Sequence, residues 1–291
     1  MARLRTITKN KKNYYYLEHS VREGKSVRVE KKYLGSKIPA NIQKIREDFE
    51  SSIFESHFAA LLEKIKENYK EDFSKMPLTA KEKYIESFLI KFTYNTNRIE
   101  GSTLSLKDTY DLLEGGISPS NKPMSDIKET EGHKKAFYQM LNFKKNLDLS
   151  EVLYWHNLIF TQSDAEIAGK IRNHRVAIAR SKVRLAFPAE IEPMLHDFFA
   201  WYKQSNVNPV IKSAIAHLKF VTIHPFTDGN GRISRLLLNY TLHSNGYPMI
   251  NIEYSNRLAY YNALEKSQLR NTATPFINFI IKRFIKEYGK S

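Results

Sequence analysis

Helical periodicity constrains this chain more than any other feature. From Ala40 to Tyr288, apolar residues recur every three or four positions in one segment after another. Ile42, Ile45, Phe49, Ile53 and Phe54 share a helical face, and Phe58, Leu61, Leu62 and Ile65 recur at the same spacing. Thr79 and Glu82 have the separation of a capping box, ahead of Tyr84, Ile85, Phe88, Leu89 and Phe92 on one side. Further helices are predicted around Leu104–Leu113, Ser125–Asn146, Ser150–Phe160, Ile191–Gln204, Pro209–Val221, Ile233–Ser244 and Arg257–Tyr288. No repeat of fixed period is present. The fold class is mainly α.

Two stretches depart from this rhythm. Asn13–Val21 and Ser26–Leu34 alternate tyrosines and β-branched residues around Arg22-Glu23-Gly24-Lys25, which predicts a hairpin. Within Arg172–Leu185, Val176, Ile178, Val183 and Leu185 alternate around Ala179–Lys182, which predicts a second one. Gly35 and Pro39 punctuate the chain before the helices begin. The expected organisation is therefore a basic N-terminal hairpin extension over residues 1–39, N-terminal helices over 40–104, and a core over 105–291.

Charge is uneven. The chain holds 46 Lys and Arg against 31 Asp and Glu, a net charge of +15, and eleven of those cations fall in the first 37 residues against three acids. A basic balance favours nucleic acid, nucleotides or acidic protein surfaces as partners. The hairpin of residues 1–37 reads either as a nucleic-acid or partner-binding arm or as a solvated addition to the main domain. The absence of cysteine excludes disulfides, iron–sulfur clusters and thiolate zinc sites. No apolar run reaches the roughly 20 residues of a membrane span, and the N-terminus lacks the apolar core of a secretory signal. A cytoplasmic protein without a membrane partner is expected.

One polar segment joins two of the most strongly helical stretches: His224-Pro225-Phe226-Thr227-Asp228-Gly229-Asn230-Gly231-Arg232-Ile233-Ser234-Arg235. Gly229 and Gly231 remove side chains where a ligand needs close approach to the backbone. A helix start offers free N–H groups and the positive end of the dipole to an anion. Arg232 and Arg235, three apart, project to one side and suit bidentate contacts with phosphate oxygens. Asp228 supplies the hard oxygens that Mg²⁺ takes alongside substrate phosphates. His224 titrates near neutrality and suits a general base. Base, metal carboxylate, anion cradle and two cations in one short segment together make a phosphate-transfer site. His217 and His224 lie seven apart with no His-Glu-x-x-His and no third ligand at a sensible spacing, so zinc is not expected. His133, His156 and His196 read as packing or surface residues, and the 17 Tyr and 17 Phe as core rather than a stacking platform.

This segment resembles the core motif of the Fic family, His-Pro-Phe-x-[Asp/Glu]-Gly-Asn-Gly-Arg-x-x-Arg, at every fixed position from His224 to Arg235. Ala168-Gly169-Lys170-Ile171-Arg172 is similar to the approach to that family's target-binding flap, with Ile171 where an aromatic is commoner, and Arg257-Leu258-Ala259-Tyr260-Tyr261 and Thr274-Pro275-Phe276-Ile277 to its C-terminal elements. The resemblance runs from about residue 80 and leaves out the basic first 37 residues. It implies a Fic-type helical bundle with a β-hairpin flap, and transfer of AMP from ATP to a Ser, Thr or Tyr hydroxyl of a target protein. His224 would take the hydroxyl proton and Asp228 would hold Mg²⁺ between the α- and β-phosphates. Gly229, Asn230, Gly231 and Arg232, with Ile233 and Ser234 beside them, would line the nucleotide site, and Arg235 would hold the γ-phosphate. The flap residues Ile178, Ala179, Arg180 and Ser181 would register a target segment by β-augmentation. Tyr261 and Gln268 are the implied adenine contacts, with Gln268 where an asparagine is expected. Gly231 favours the adenylylating branch over the phosphorylating Doc branch, which carries lysine there.

Upstream, Thr96-Asn97-Arg98-Ile99-Glu100-Gly101 resembles the family's inhibitory motif [Ser/Thr]-x-x-x-Glu-[Gly/Asn]. Taken alone, the same residues describe a helix end capped by Gly101. The resemblance implies that Glu100 pairs with Arg235 and withholds it from ATP. Two rivals remain open at this point: removal of AMP by water oriented on Glu100, and a DNA-binding regulator with a vestigial Fic core.

Overall fold

The computed structural model of the chain describes residues 2–23, 26–177 and 183–289. Its contacts divide into two compact units, Met1–Leu62 and Glu63–Ser291.

The first unit holds a three-stranded antiparallel sheet in the order β1-β2-β3, with β1 at Arg3–Lys9, β2 at Lys12–Glu23 and β3 at Ser26–Gly35. The predicted two-stranded hairpin thus gains a strand. Arg-Leu-Arg-Thr-Ile-Thr-Lys pairs with β2 from Arg3 opposite Glu18 to Lys9 opposite Lys12. The connecting residues, Asn10 and Lys11, both have positive φ, at 53° and 60°. That is the backbone a two-residue hairpin of this hand requires, and it was hidden because lysine stands where glycine usually signals it. Leu17 is fully buried among Ala2, Leu34 and, from helix α1 (Ile42–Lys75), Phe49 and Ile53. The Ala2 N–H donates to Glu50 in the same cluster.

The second unit is helical. From α2 (Leu78–Ile99) the chain runs through α3 (Leu106–Leu113), α4 (Met124–Asn142), α5 (Leu149–Phe160), α6 (Pro188–Gln204), α7 (Pro209–Ile223) and α8 (Asn230–Ser244). A 3-10 turn at Tyr254–Asn256 leads into α9 (Arg257–Leu269) and α10 (Thr274–Tyr288). Among the described residues no helix is long and apolar enough to cross a membrane. Helix α8 lies at the centre: every residue from Ile233 to Leu242 is buried, packed against α7 and reached by α2, α4 and α5. Its Ile233, Leu236, Leu237 and Tyr240 join Phe92, Phe137, Trp155, Phe160, Phe198 and Phe220 in one core. Burying each such side chain contributes about 1.5–3 kcal/mol, which fixes the helix start that carries the motif.

Three local expectations change. The Thr79–Glu82 box does not form, because the helix starts two residues earlier, at Leu78 with Pro77 in the N-cap position and no side-chain cap. The single stretch expected over Arg257–Tyr288 is two helices, broken where Asn271 turns to φ 48° and the Ser267 Oγ accepts the Phe276 N–H at 3.0 Å. Around the second predicted hairpin, residues 173–177 and 183–187 carry no strand. The flap residues Ile178, Ala179, Arg180 and Ser181 lie outside the described residues.

Candidate active site

Helix α7 ends in a conformation that non-glycine residues rarely adopt. His224 caps it in the left-handed region, at φ 55° and ψ 58°, directly before Pro225. A non-glycine residue in this conformation costs about 1–2 kcal/mol, and the surroundings must hold it. Arg172 does so. Its Nε donates to the His224 carbonyl at 2.7 Å, while its two other nitrogens donate to the carbonyls of His174 and Ala186, each at 2.7 Å. The Arg172 N–H donates to the Pro225 carbonyl at 2.9 Å. One buried guanidinium therefore ties the motif loop to both stems of the flap region.

The His224 ring sits 3.1 Å through Nδ1 from the Val221 carbonyl. A carbonyl only accepts, so Nδ1 carries the proton and Nε2 keeps its lone pair. Burial is the main cause that pulls its pKa below the ordinary histidine value. At neutral pH the ring is a neutral base.

Beyond it the loop is built from inside the protein. The Asn230 side chain closes it by accepting the Phe226 N–H at 2.9 Å and donating to the Phe226 carbonyl at 2.8 Å. The His156 Nδ1 accepts the Gly169 N–H at 2.9 Å, so its Nε2–H donates to the Asp228 carbonyl at 3.0 Å. Burial lowers the His156 pKa to about 4, which keeps that tautomer. Gly229 has φ 82°, and a Cβ there would fall 2.4 Å from the Phe160 ring. This glycine serves the fold. It delivers the start of α8 with no side-chain cap, so the first-turn N–H groups face an anion position.

Two arginines rise from that helix, both nearly fully buried. Arg232 lies over the Phe160 ring, donates to Asp228 at 3.1 Å and makes a short ion pair with Glu129 of α4. Arg235 is held more tightly. Its Nε donates to the Thr96 Oγ1 at 2.6 Å, and its Nη2 to the Thr96 carbonyl at 3.1 Å and to the Glu100 Oε1 at 2.6 Å. Its Nη1 donates at 3.2 Å to the Tyr260 hydroxyl, which lies 3.0 Å from the His217 Nε2. Burial alone lowers the pKa of this guanidinium, but Tyr260 and Glu100 outweigh it and raise it above the ordinary value. A Cβ on Gly231 would stand 2.1 Å from the Glu100 Oε1, so the carboxyl group rests against the first turn of α8.

Glu100 also ends α2. The Ser102 N–H bonds the Asn97 carbonyl at 3.0 Å and the Gly101 N–H bonds the Arg98 carbonyl at 3.3 Å, with Gly101 at φ 104°. This is the double-bonded glycine cap of a helix end. Helix end and ion pair are one arrangement.

The remaining predicted residues are placed differently. Ile233 is fully buried in the core, and the Ser234 Oγ donates to the Asn230 carbonyl at 2.7 Å, so neither side chain reaches a ligand. The Tyr261 hydroxyl donates to the Ile99 carbonyl at 3.1 Å with its ring exposed, and Gln268 donates to the Thr222 Oγ1 at 3.0 Å. His133 is a buried packing residue and His196 is exposed, whereas His156, expected to pack or face solvent, is buried and holds the motif loop through the Asp228 carbonyl. Glu129, and the pairing of Arg172 with the motif loop, carried no sequence signal, since their partners lie 103 and 52 positions away.

Fold and site together describe a helical domain that presents a neutral imidazole beside an uncapped helix start and two buried arginines. The sequence model of the Fic/DOC family matches residues 146–242, the stretch from α5 to α8. A protein adenylyltransferase of Caenorhabditis elegans, fic-1, is 30% identical over 213 residues, which are 70% of this chain and 41% of that protein. The protein adenylyltransferase Fic of Nematostella vectensis is 28% identical over 205 residues, 68% of this chain and 47% of that one. A Fic-domain signaling protein of Bacteroides thetaiotaomicron superposes with a TM-score of 0.72 at 25% identity, covering 79% of this chain and 94% of its own. The solved fragment of C. elegans Fic-1 gives 0.69 at 25% identity over 86% and 75%. The chain belongs to the Fic/DOC family. It spans less than half the length of the curated relatives named here.

Proposed function

We propose that this chain is a protein adenylyltransferase that transfers AMP from ATP to a Ser, Thr or Tyr hydroxyl of a target protein and is restrained by Glu100. The observation that carries the reading is the free Nε2 of His224, in a loop whose other end is an uncapped helix start. The acceptor hydroxyl gives its proton to that nitrogen while its oxygen attacks the α-phosphorus. The bond to the β-phosphate oxygen breaks and pyrophosphate leaves. The α8 first turn and Arg232 bind phosphate oxygens, and Arg235 takes the γ-phosphate once Glu100 withdraws. Positioning and charge neutralisation supply the catalysis. The names of the adenylyltransferase relatives support the same reaction.

Asp228 fits Mg²⁺, because its side chain is 57% exposed at the mouth of the site and one carboxylate suffices when phosphates complete the shell. Bound there, the ion would neutralise phosphate charge. The exposed Tyr261 ring is the adenine contact we favour. Ile178–Ser181 are the residues we assign to the target strand, and residues 105–291 to the catalytic core. Labelled ATP with Mg²⁺ tests the reading: label should appear on protein, and His224→Ala should lower its transfer at least ~10²-fold, the scale of a general base, with nucleotide binding retained. Equal transfer by that variant sinks the mechanism. Release of AMP from a modified protein without forward labelling would favour the reverse reaction.

A further inference from the structure

The three-stranded sheet has two unlike faces. Residues directly opposite in antiparallel pairs share a face, so the register sorts them. One face carries Leu17 into the small core with Phe49 and Ile53. The other gathers Arg3, Arg5, Ile7 and Lys9 from β1, Lys12, Tyr14, Tyr16 and Glu18 from β2, and Val27, Val29, Lys31 and Tyr33 from β3. Three tyrosines occupy its middle, with the Tyr33 ring 5.1 Å from Tyr16 and 6.4 Å from Tyr14. Ile7, Val27, Val29 and Tyr33 are exposed, Tyr33 to 55%. Glu18 is the lone acid among these residues, and Arg5 and Lys31 already neutralise it at 3.0 and 3.3 Å.

Exposed apolar residues on a small sheet invite aggregation and call for a reason. A cationic rim around an aromatic and apolar centre matches a ligand with flat apolar faces strung on negative charge. Single-stranded nucleic acid has that chemistry, because its bases are free to stack while its phosphates face cations. A duplex hides its base faces. Unpaired bases are the ordinary state of RNA loops and ends, and a hydroxyl-bearing face can bond the ribose 2′-OH. We propose that the outer face of this sheet binds single-stranded RNA, with Tyr16 and Tyr33 as the stacking platform and Arg3, Lys9 and Lys12 as phosphate contacts. This lies outside the adenylyltransferase reading and does not depend on it.

Fluorescence anisotropy of the full chain with 5′-labelled U15, dT15, a 15-base-pair duplex and anionic phosphatidylserine vesicles as competitor tests this. U15 should bind most tightly, with log K falling on log salt at a slope of about −2, for roughly three phosphates neutralised. Tyr16→Ala and Tyr33→Ala should each weaken U15 binding about tenfold, within the range of one lost stack. Tyr16→Phe and Tyr33→Phe should keep it, and so should Lys32→Ala, which removes a charge from the opposite face. Thermal melting confirms that each variant is folded. Equal losses from Lys32→Ala and Tyr33→Ala would reduce the effect to net charge and overturn the proposal. So would tighter binding of the duplex or of dT15, competition by vesicles that survives Tyr33→Ala, or no binding of U15 at low salt.

Discussion

At the residue scale the site turns on which group Arg235 holds. Its guanidinium is 2% exposed, so it needs an anion, and Glu100 provides one at 2.6 Å. Glu100→Gly should raise adenylylation, self-modification included, by roughly tenfold, the factor that ~1.4 kcal/mol of lost competition gives. Adding Arg235→Ala should remove most of that gain, because the freed guanidinium is what the first change exposes. Labelled AMP transfer by the three proteins at saturating Mg²⁺-ATP decides it, and a single variant no faster than wild type leaves Glu100 as a helix end only. Both members of this pair were legible in the sequence because each sits inside a contiguous motif. Glu129 was not. Its carboxylate takes up Arg232 from another helix, and nothing local in Glu129-Thr130-Glu131 marks one acid over the other.

At the element scale, Arg172 links the loop after α7 to the segments at 174 and 186. Arg172→Ala should therefore lose three carbonyl contacts and release His224 from its left-handed conformation. Transfer should fall at least tenfold, beyond any fall explained by unfolding; hydrogen exchange at residues 173–177 and 183–187 should quicken while α8 stays protected. Unchanged exchange there would show that the stems are held by other means. Long apolar helices were read with their boundaries off by a residue or a turn, since periodicity reports a buried face and not where it stops. Strand β1 went unread for a narrower reason: Asn10 and Lys11 adopt the left-handed turn without a glycine to announce it.

For the whole molecule, the buried histidines set the response to acid. His133 and His156 are depressed by burial to about 3 and about 4 from an unfolded value near 6.5, and His217 lies well below it. The unfolded chain therefore binds more protons between pH 6.5 and 4, and stability falls as pH drops through that window. Each histidine contributes a slope of up to about 1.4 kcal/mol per pH unit below 6.5. Urea midpoints should fall steeply from pH 6.5 to 4.5 and change little from 6.5 to 8; a flat profile through the acid range would mean these rings are protonated in the fold. Removing residues 1–37 takes away Ala2, Leu17 and Leu34 and bares Phe49 and Ile53, yet removes nothing from the core around Trp155 and α8. Circular dichroism should then show helix lost only near the start of α1, with one cooperative melt remaining. Loss of that melt would show that the strands support the helical unit.

On the proposed reading, the glycine cap that ends α2 also decides how Glu100 would let go of Arg235. Glu100 does not ride on a hinged loop: its backbone is fixed by two cap bonds and by a helix whose Leu89 and Phe92 are buried in the core. Letting go of Arg235 then requires rotation about the Glu100 side-chain bonds with no helix moving, slower than the picoseconds to nanoseconds of an exposed side chain because a partly buried ion pair has to break. Typical enzymatic turnover, at about 1–10³ per second, is slower than such a local side-chain motion. A restraint by Glu100 would then act as a constant fraction of time spent open, applied equally to the first and the hundredth transfer, and progress curves should start without a lag.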